Sequence, residues 1–215
     1  MTSREAGERA PANAAPWLPV VCVVSWLVAA ASSGPLGIWL TVGGVAVALG
    51  VAVLVLDSAE ASKILRPSPR LVLMGLAAGG SMAAGTHLLY PGFAHLLPFI
   101  SADTVRLYAA FRGPPPVIAS LALLPVILGE ELVWRGVVQT ALMRRIGPWP
   151  AVPVGALSYT LAHAPLGSPV LLVVALSCGM VWGALRAASG SLVPTLVAHL
   201  LWDLLVLLWL PLDPR

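Results

Sequence analysis

The chain is poor in charged residues. Only 10% of its 215 residues are Asp, Glu, Lys or Arg, and Lys63 is the sole lysine. A soluble domain carries about 25% charged residues, so this composition excludes a water-soluble globule and a disordered chain. The formal charge of +3 is scattered and forms no basic face, so no nucleic-acid partner is expected. The two cysteines, Cys22 and Cys178, lie in separate apolar runs and indicate small hydrophobic residues, not a disulfide.

Long apolar segments dominate what is present. Hydrophobic residues make up 59% of the chain and the mean hydropathy is +0.92. A helix needs about 20 apolar residues to cross a hydrocarbon core about 30 Å thick. The sequence therefore predicts an all-α, polytopic transmembrane helix bundle of about seven spans, with eight as the alternative. The predicted spans are Trp17–Ser32, Leu36–Leu56, Leu71–Tyr90, Val117–Met143, Val152–Ala164, Pro169–Leu185 and Leu192–Leu210.

The positive charges between these spans predict their orientation. Cytoplasmic connections are enriched in Lys and Arg. If the N-terminus is inside, the positive charges after spans two, four and six all face the cytoplasm. Span two is followed by Lys63, Arg66 and Arg70, span four by Arg144 and Arg145, and span six by Arg186. We expect a multi-pass protein of the cytoplasmic membrane with a polar tail over residues 1–16 and a single transmembrane domain over 17–215.

One charged segment falls on the outer side and departs from this rule. It runs from Ser101 to Pro116 and carries Asp103, Arg106 and Arg112. An interfacial amphipathic helix explains it, because its apolar residues fall on one face. The residues predicted for that face are Val105, Leu107, Tyr108 and Phe111.

Ionisable residues lie inside three of the late spans, where placing a charge in the hydrocarbon core costs free energy. Span four holds Glu130, Glu131 and Arg135, span five holds His163, and span seven holds His199 and Asp203. A charged side chain at a helix centre costs about 2.5–3.5 kcal/mol by insertion scales, and such residues mark functional sites. We therefore expect these side chains to face one another or a water-filled cavity.

Helical spacing predicts which of them pair. Glu131 and Arg135 are four residues apart, with Glu first, which favours an ion pair on one face. His199 and Asp203 share a face by the same spacing. Glu130 lies about 100° around the helix from Glu131, so it can address a cavity while Glu131 is held by its arginine.

Several residues around these positions have predicted structural roles. Pro125 and Gly129 mark a point where span four is expected to bend, and Trp134 and Trp202 are expected to wall the cavity. Close helix packing is predicted at Gly79, Gly80, Gly85, Gly179 and Gly183.

Three motifs follow one another along these spans: Glu-Glu-x-x-x-Arg from Glu130, Tyr-x-x-x-His from Tyr159, and His-x-x-x-Asp from His199. In this order they resemble the CPBP (Abi) family, which comprises CAAX prenyl endopeptidases and bacteriocin-processing or immunity proteins. The resemblance covers about Pro115 to Leu205, the predicted catalytic core. Tyr159 stands where phenylalanine is usual, which we expect to matter little. Asp203 stands where many members have asparagine, which changes the charge of the site.

The resemblance implies an intramembrane endopeptidase that acts on a membrane-embedded or lipidated peptide or protein in the bilayer. It implies that Glu130 and His163 activate a water molecule and that His199 and Asp203 lie near the oxyanion. Glu131 and Arg135 are expected to give structural support. Because an ionised aspartate cannot donate a hydrogen bond, we expect Asp203 to orient His199; a protonated Asp203 is the alternative.

Two alternatives stay open at this point. Glu130, His163, His199 and Asp203 form an acceptable zinc set, and the sequence favours metal-free hydrolysis over a zinc enzyme only slightly. Buried acids and histidines also carry protons, so a non-enzymatic transporter, proton relay, or immunity or binding scaffold is the rival function. The chain lacks the His-Glu-x-x-His and Gly-x-Ser-x-Gly motifs of other hydrolases.

Overall fold

The computed structural model describes residues 16–112 and 114–212, and these residues form helices and no strand. This confirms the predicted all-α bundle. The predicted polar tail, residues 1–16, lies outside the described residues except for Pro16. The helices are α1 (Leu18–Ala31), α2 (Ser33–Leu36), α3 (Trp39–Leu56), α4 (Ser58–Ile64), α5 (Pro69–Leu96), α6 (Pro98–Phe111), α7 (Pro116–Ile146), α8 (Ala151–His163), α9 (Pro169–Ser189) and α10 (Val193–Trp209).

The apolar helices identify an integral membrane protein. Among the described residues, α3, α5, α7 and α9 are long and apolar enough to cross a bilayer, while α1 and α10 are shorter apolar helices. Each of the seven predicted spans coincides with one helix: α1, α3, α5, α7, α8, α9 and α10. The number of membrane crossings and the inside position of the N-terminus stay predictions.

The two helices that carry the carboxylates of the site widen immediately after them. Helix α7 is a regular α-helix up to Glu131 and a π-helix over Leu132–Val138. Helix α10 is regular up to Asp203 and a π-helix over Leu204–Trp209. Wide turns of this kind occur frequently at functional sites. Helix α7 becomes regular again over Gln139–Ile146. The acids therefore stand directly before the wide turns of each helix.

Gly129 serves for close packing between helices. The α-helix is continuous from Pro116 to Glu131 and includes Pro125, and a bend at Pro125 and Gly129 stays a prediction. A Cβ on Gly129 would collide with the backbone of Ala46 in α3, and a Cβ on Gly50 would lie 2.5 Å from the Gly129 Cα. Helix α3 thus presses against α7 at the residue before Glu130.

A second close contact joins α5 to α10. A Cβ on Gly79 would lie 2.7 Å from the carbonyl oxygen of Ala198, the residue before His199. Close packing is confirmed at Gly79, as it is at Gly179 and Gly183, where an added Cβ would meet neighbouring atoms at 3.1 and 3.3 Å. The prediction is wrong at Gly80 and Gly85, because a Cβ there would meet nothing within 4 Å.

Helix α6 covers one side of a central cavity. Leu107, Tyr108 and Phe111 line that cavity, whereas Val105, predicted for the same face, does not line it and is exposed. The Tyr108 hydroxyl donates to the carbonyl oxygen of Val206 at 2.6 Å, which ties α6 to the π-helical end of α10. A helix is therefore found in this segment and three of the four predicted residues face the bundle, while its interfacial position stays a prediction.

Asp103 fastens the other side of α6 to the start of α9. Its carboxylate accepts hydrogen bonds from the Ser168 hydroxyl at 2.7 Å and the Val170 N–H at 2.9 Å, and it pairs with Arg106. Although burial would raise the pKa of Asp103, these hydrogen bonds and the Arg106 charge hold that pKa below its usual range. The ionised carboxylate therefore stabilises the contact between the two helices.

Candidate active site

A cavity of about 690 Å³ lies among α3 and α5 to α10 and is lined mainly by apolar side chains. The acidic and imidazole side chains along its wall are Glu130, His163, His199 and Asp203. These are the four residues predicted to be catalytic, so the structure brings all of them to one cavity. Helices α7, α8 and α10 supply them, which is why they are far apart in sequence.

Glu130 is buried and has a phenol as its direct partner. Its side chain comes from the turn of α7 directly before the π-helical segment, and the residue is 8% exposed. The Tyr159 hydroxyl, from α8, donates to the Glu130 Oε1 atom at 2.5 Å. The sequence predicted that tyrosine in place of phenylalanine would matter little, but this hydroxyl contacts the proposed base directly.

His163 is oriented by its own helix. Its Nδ1 atom lies 2.8 Å from the carbonyl oxygen of Tyr159, one turn earlier in α8. A carbonyl can only accept, so Nδ1 carries the proton of the neutral ring and Nε2 is left as the acceptor. The ring packs against Tyr159 and Trp26, with centroids 4.5 and 5.7 Å apart.

Glu131 is the centre of a buried ion cluster. Arg135 Nη1 donates to Glu131 Oε1 at 3.0 Å, which confirms the predicted pair. The Nδ1 atom of His199 lies 2.9 Å from the same oxygen. Spacing within one helix revealed the first contact but not the second, because His199 comes from α10.

Asp203 does not orient His199 as predicted. Its Oδ2 atom lies 3.6 Å from His199 Nε2, which is longer than a hydrogen bond although within ion-pair range. Glu131 takes the orienting role, because Nδ1 of His199 faces α7 and meets that carboxylate at hydrogen-bond distance. Asp203 instead faces the second nitrogen of the ring.

Trp182 is a contributor that the sequence analysis missed. Its ring stacks on the His199 imidazole, with centroids 3.7 Å apart and an interplanar angle of 21°. The Arg135 guanidinium lies over Tyr159 and Trp182, 4.6 and 5.1 Å from their ring centroids. Trp182 lies one turn after the closely packed Gly179 and so shares a face of α9 with it, and that spacing was a usable signal.

The two tryptophans that were predicted to wall the cavity differ in their positions. Trp202 lines the cavity, and its indole N–H donates to the Thr86 hydroxyl at 3.1 Å. Trp134 is buried behind Tyr159, with ring centroids 5.3 Å apart. Trp134 therefore fixes the tyrosine ring and does not form the wall itself.

The donor arrangement gives no support to the zinc set. Within residues 16–112 and 114–212, no three His, Cys, Asp or Glu side chains are placed so that they could hold one metal ion. A zinc site on Glu130, His163, His199 and Asp203 stays a prediction. Cys178 lies on the cavity wall, and both cysteines are buried and free of a disulfide.

Comparison with known proteins agrees with the resemblance seen in the motifs. Residues 112–205 match the family model described as type II CAAX prenyl endopeptidase, Rce1-like. This segment is Rce1-like. The Rce1-like segment covers less than half of the chain but contains every acid, histidine and arginine of the site. No curated protein and no solved structure matches the chain.

Proposed function

We propose that this protein is a CAAX-type intramembrane endopeptidase that hydrolyses a peptide bond in a membrane-embedded or lipidated substrate. The observation that carries the proposal is the position of Glu130, a buried carboxylate on the wall of an apolar cavity that two imidazoles also line. The Rce1-like match over the same residues supports it. Burying a carboxylate that forms no ion pair costs folding free energy. Among the described residues no arginine pairs with Glu130, so a catalytic role accounts for this carboxylate better than a structural one.

Glu130 and His163 are suited to activate water. Tyr159 engages Oε1 of Glu130, so Oε2 is the oxygen available to a water molecule in the cavity. In this scheme the water oxygen attacks the scissile carbonyl carbon while its proton passes to Glu130. The C–N bond then breaks, and Glu130 returns that proton to the departing amine. His163 Nε2 accepts the second hydrogen bond of the water and aligns it.

His199 is suited to stabilise the oxyanion. Its Nδ1 atom is committed to Glu131, and Nε2 lies on the cavity side near Asp203. The cluster holds three carboxylates against the single guanidinium of Arg135, so a proton on an imidazole offsets part of the negative charge. A His199 protonated at both nitrogens donates from Nε2 to the developing oxyanion.

The cavity is matched to an apolar substrate. It is large enough for several aliphatic side chains or part of a lipid chain, and most of its lining is apolar. A substrate with its lipid or aliphatic residues in the cavity would place a nearby peptide bond at these groups. Prenylated Cys-aliphatic-aliphatic-X ends are the class that the Rce1-like match suggests.

Cleavage in proteoliposomes tests the proposal. The probe is a fluorescence-quenched peptide that ends in a prenylated Cys-aliphatic-aliphatic-X sequence. We expect the wild type to cleave it and Glu130→Gln to lose about 10²–10⁴-fold in kcat, with its unfolding temperature retained. Glu60→Gln is the matched control and should cleave normally, because Glu60 pairs with Lys63 and does not line the cavity. Full cleavage by Glu130→Gln would contradict the proposal. So would a wild type that carries a pH-driven proton flux but cleaves neither this probe nor an unlipidated transmembrane peptide.

The same assay tests the metal-free form of the mechanism. We expect protein purified in the presence of a strong chelator to cleave the probe at the wild-type rate. A loss of activity that added zinc restores would replace this mechanism with the zinc alternative while leaving the endopeptidase activity in place.

A further inference from the structure

Helix α9 contributes one large aromatic side chain to the site, that of Trp182. Its ring stacks on the His199 imidazole, with centroids 3.7 Å apart and an interplanar angle of 21°. Trp182 is 2% exposed and lines the cavity. Its buried indole N–H has no hydrogen-bond partner among the described residues, although a buried indole usually finds one. Hydrogen bonding therefore does not account for this ring, and its contacts are made by its faces.

We infer that Trp182 is a positioning residue that fixes the plane of the His199 ring and so directs Nε2 of His199 to the reacting carbonyl group. This inference rests on the proposed function, in which Nε2 donates to the oxyanion. Trp182 belongs to none of the three motifs that carry the family resemblance, so the motifs give it no role.

The hydrogen bond to Glu131 restrains only one atom of the imidazole. Nδ1 of His199 lies 2.9 Å from Glu131 Oε1, and one such contact leaves the ring free to tilt about that nitrogen. The energy wells for rotation about the second side-chain torsion of histidine are broad, so the side chain does not fix its own plane. Asp203 lies 3.6 Å from Nε2, beyond hydrogen-bond distance. The stacked indole supplies the restraint on the plane of the ring.

Trp182 is itself held in place by other groups. The Arg135 guanidinium lies 5.1 Å from its ring centroid, and the Tyr159 ring meets it edge-on with centroids 6.4 Å apart. One turn earlier in α9, a Cβ on Gly179 would lie 3.1 Å from the Ala156 side chain, so α9 packs tightly on α8 at this level. The indole is therefore a fixed surface against which the imidazole can be aligned.

The expected effect falls on kcat, because the position of an oxyanion donor decides how much it accelerates the reaction. A displacement of about 1 Å can cost about 10²-fold in rate. We expect Trp182→Leu and Trp182→Met, which remove the aromatic face, to lower kcat about 10- to 100-fold and to change KM less than kcat. Trp182→Phe keeps a ring and should stay within about threefold of the wild type. Trp149→Leu is the matched control and should keep the wild-type kcat, because Trp149 is exposed and does not line the cavity.

The test is a double-mutant cycle in kcat for the prenylated peptide probe, with Trp182→Met and His199→Asn. His199→Asn removes Nε2 and keeps an N–H donor for Glu131. If Trp182 acts through His199, Trp182→Met should lower kcat by no more than about twofold in the His199→Asn background. A general loss of packing would lower kcat equally in both backgrounds. That result, or a Trp182→Phe variant as slow as Trp182→Met, overturns the inference.

A second readout separates this inference from the proposed function. The chain has four histidines, so the ring protons of His199 can be assigned in NMR spectra by their loss in His199→Asn. Protons of a ring that stacks on an indole are shifted upfield by the ring current. We expect this shift in the wild type and its loss in Trp182→Met. A shift that is absent from the wild type or kept in Trp182→Met overturns the role of Trp182. The expected shifts in a protein that cleaves no probe overturn only the endopeptidase assignment.

Discussion

Glu130 and Glu131 are adjacent in the sequence but belong to two different regions of the molecule. The cavity region consists of Glu130, Tyr159, His163 and Asp203, and the packed region consists of Glu131 and Arg135. His199 and Trp182 lie between the two regions, because both line the cavity and His199 is also bonded to Glu131. Glu131 is fully buried and bonded to a guanidinium and an imidazole, whereas Glu130 meets a single phenol at the cavity wall. A rotation of about 100° per residue is enough to separate the two environments. Under the proposed function, identical side chains one residue apart therefore serve catalysis and structural support.

The largest expected effect on stability comes from removing the negative charge of Glu131 in the packed region. Glu131→Gln leaves Arg135 buried without its carboxylate, and breaking a buried pair costs about 3–5 kcal/mol of the unfolding free energy. We expect a large fall in the unfolding temperature in detergent micelles, while Glu130→Gln stays close to the wild type. Equal unfolding temperatures for the two variants would erase the distinction between the regions.

The next effect concerns the helix contact that sets His199 in place. Gly79→Ala would push a methyl group into the backbone of Ala198 and should cost about 1–3 kcal/mol, since α10 has to move. Gly80→Ala, one residue later, meets open space and should be neutral or stabilising by up to about 1 kcal/mol. Urea unfolding of both variants measures the difference. Similar stabilities for the two would show that α5 and α10 are not in backbone contact.

The smallest effect concerns the link from α6 to α9, away from both regions. Because the folded pKa of Asp103 is lowered, its carboxylate stabilises the fold above its unfolded pKa, about 3.9. That stabilisation is lost as the pH falls through the lower folded pKa. We expect Asp103→Asn to be about 1–2 kcal/mol less stable than the wild type at neutral pH. The difference should disappear in acid.

Thermal unfolding as a function of pH measures this difference. Asp57→Asn is the control, because the Asp57 side chain makes no capping hydrogen bond to α4. A difference in stability between the wild type and Asp103→Asn that is the same at every pH would contradict the account.

The sequence predicted contacts within a helix better than contacts between helices. The Glu131–Arg135 pair and the apolar face of α6 follow from helical spacing, and they were found. The Glu131–His199 and Glu130–Tyr159 bonds join residues that are 68 and 29 positions apart and lie on different helices. Spacing within one helix cannot predict such contacts. The roles given to Asp203 and to the Tyr159 hydroxyl were revised for this reason.

Backbone features were the least predictable. Pro125 and Gly129 indicated a weak point in α7, but nothing in the sequence showed that Gly129 admits the backbone of α3. The π-helical segments after Glu131 and Asp203 have no signature in local composition. Whether a glycine faces a neighbouring helix, as Gly79 does and Gly80 does not, depends on the rotation of α5. That rotation is set by tertiary packing.

The central claim is that Glu130 and His163 act together on one water molecule in the cavity. A double-mutant cycle in kcat for the prenylated probe tests it most directly, with Glu130→Gln, His163→Ala and the double variant. Groups that act as a unit are strongly non-additive, so we expect the double variant to be no slower than the slower single variant. Losses that multiply, with the double variant slower by the product of the two single effects, would contradict the account.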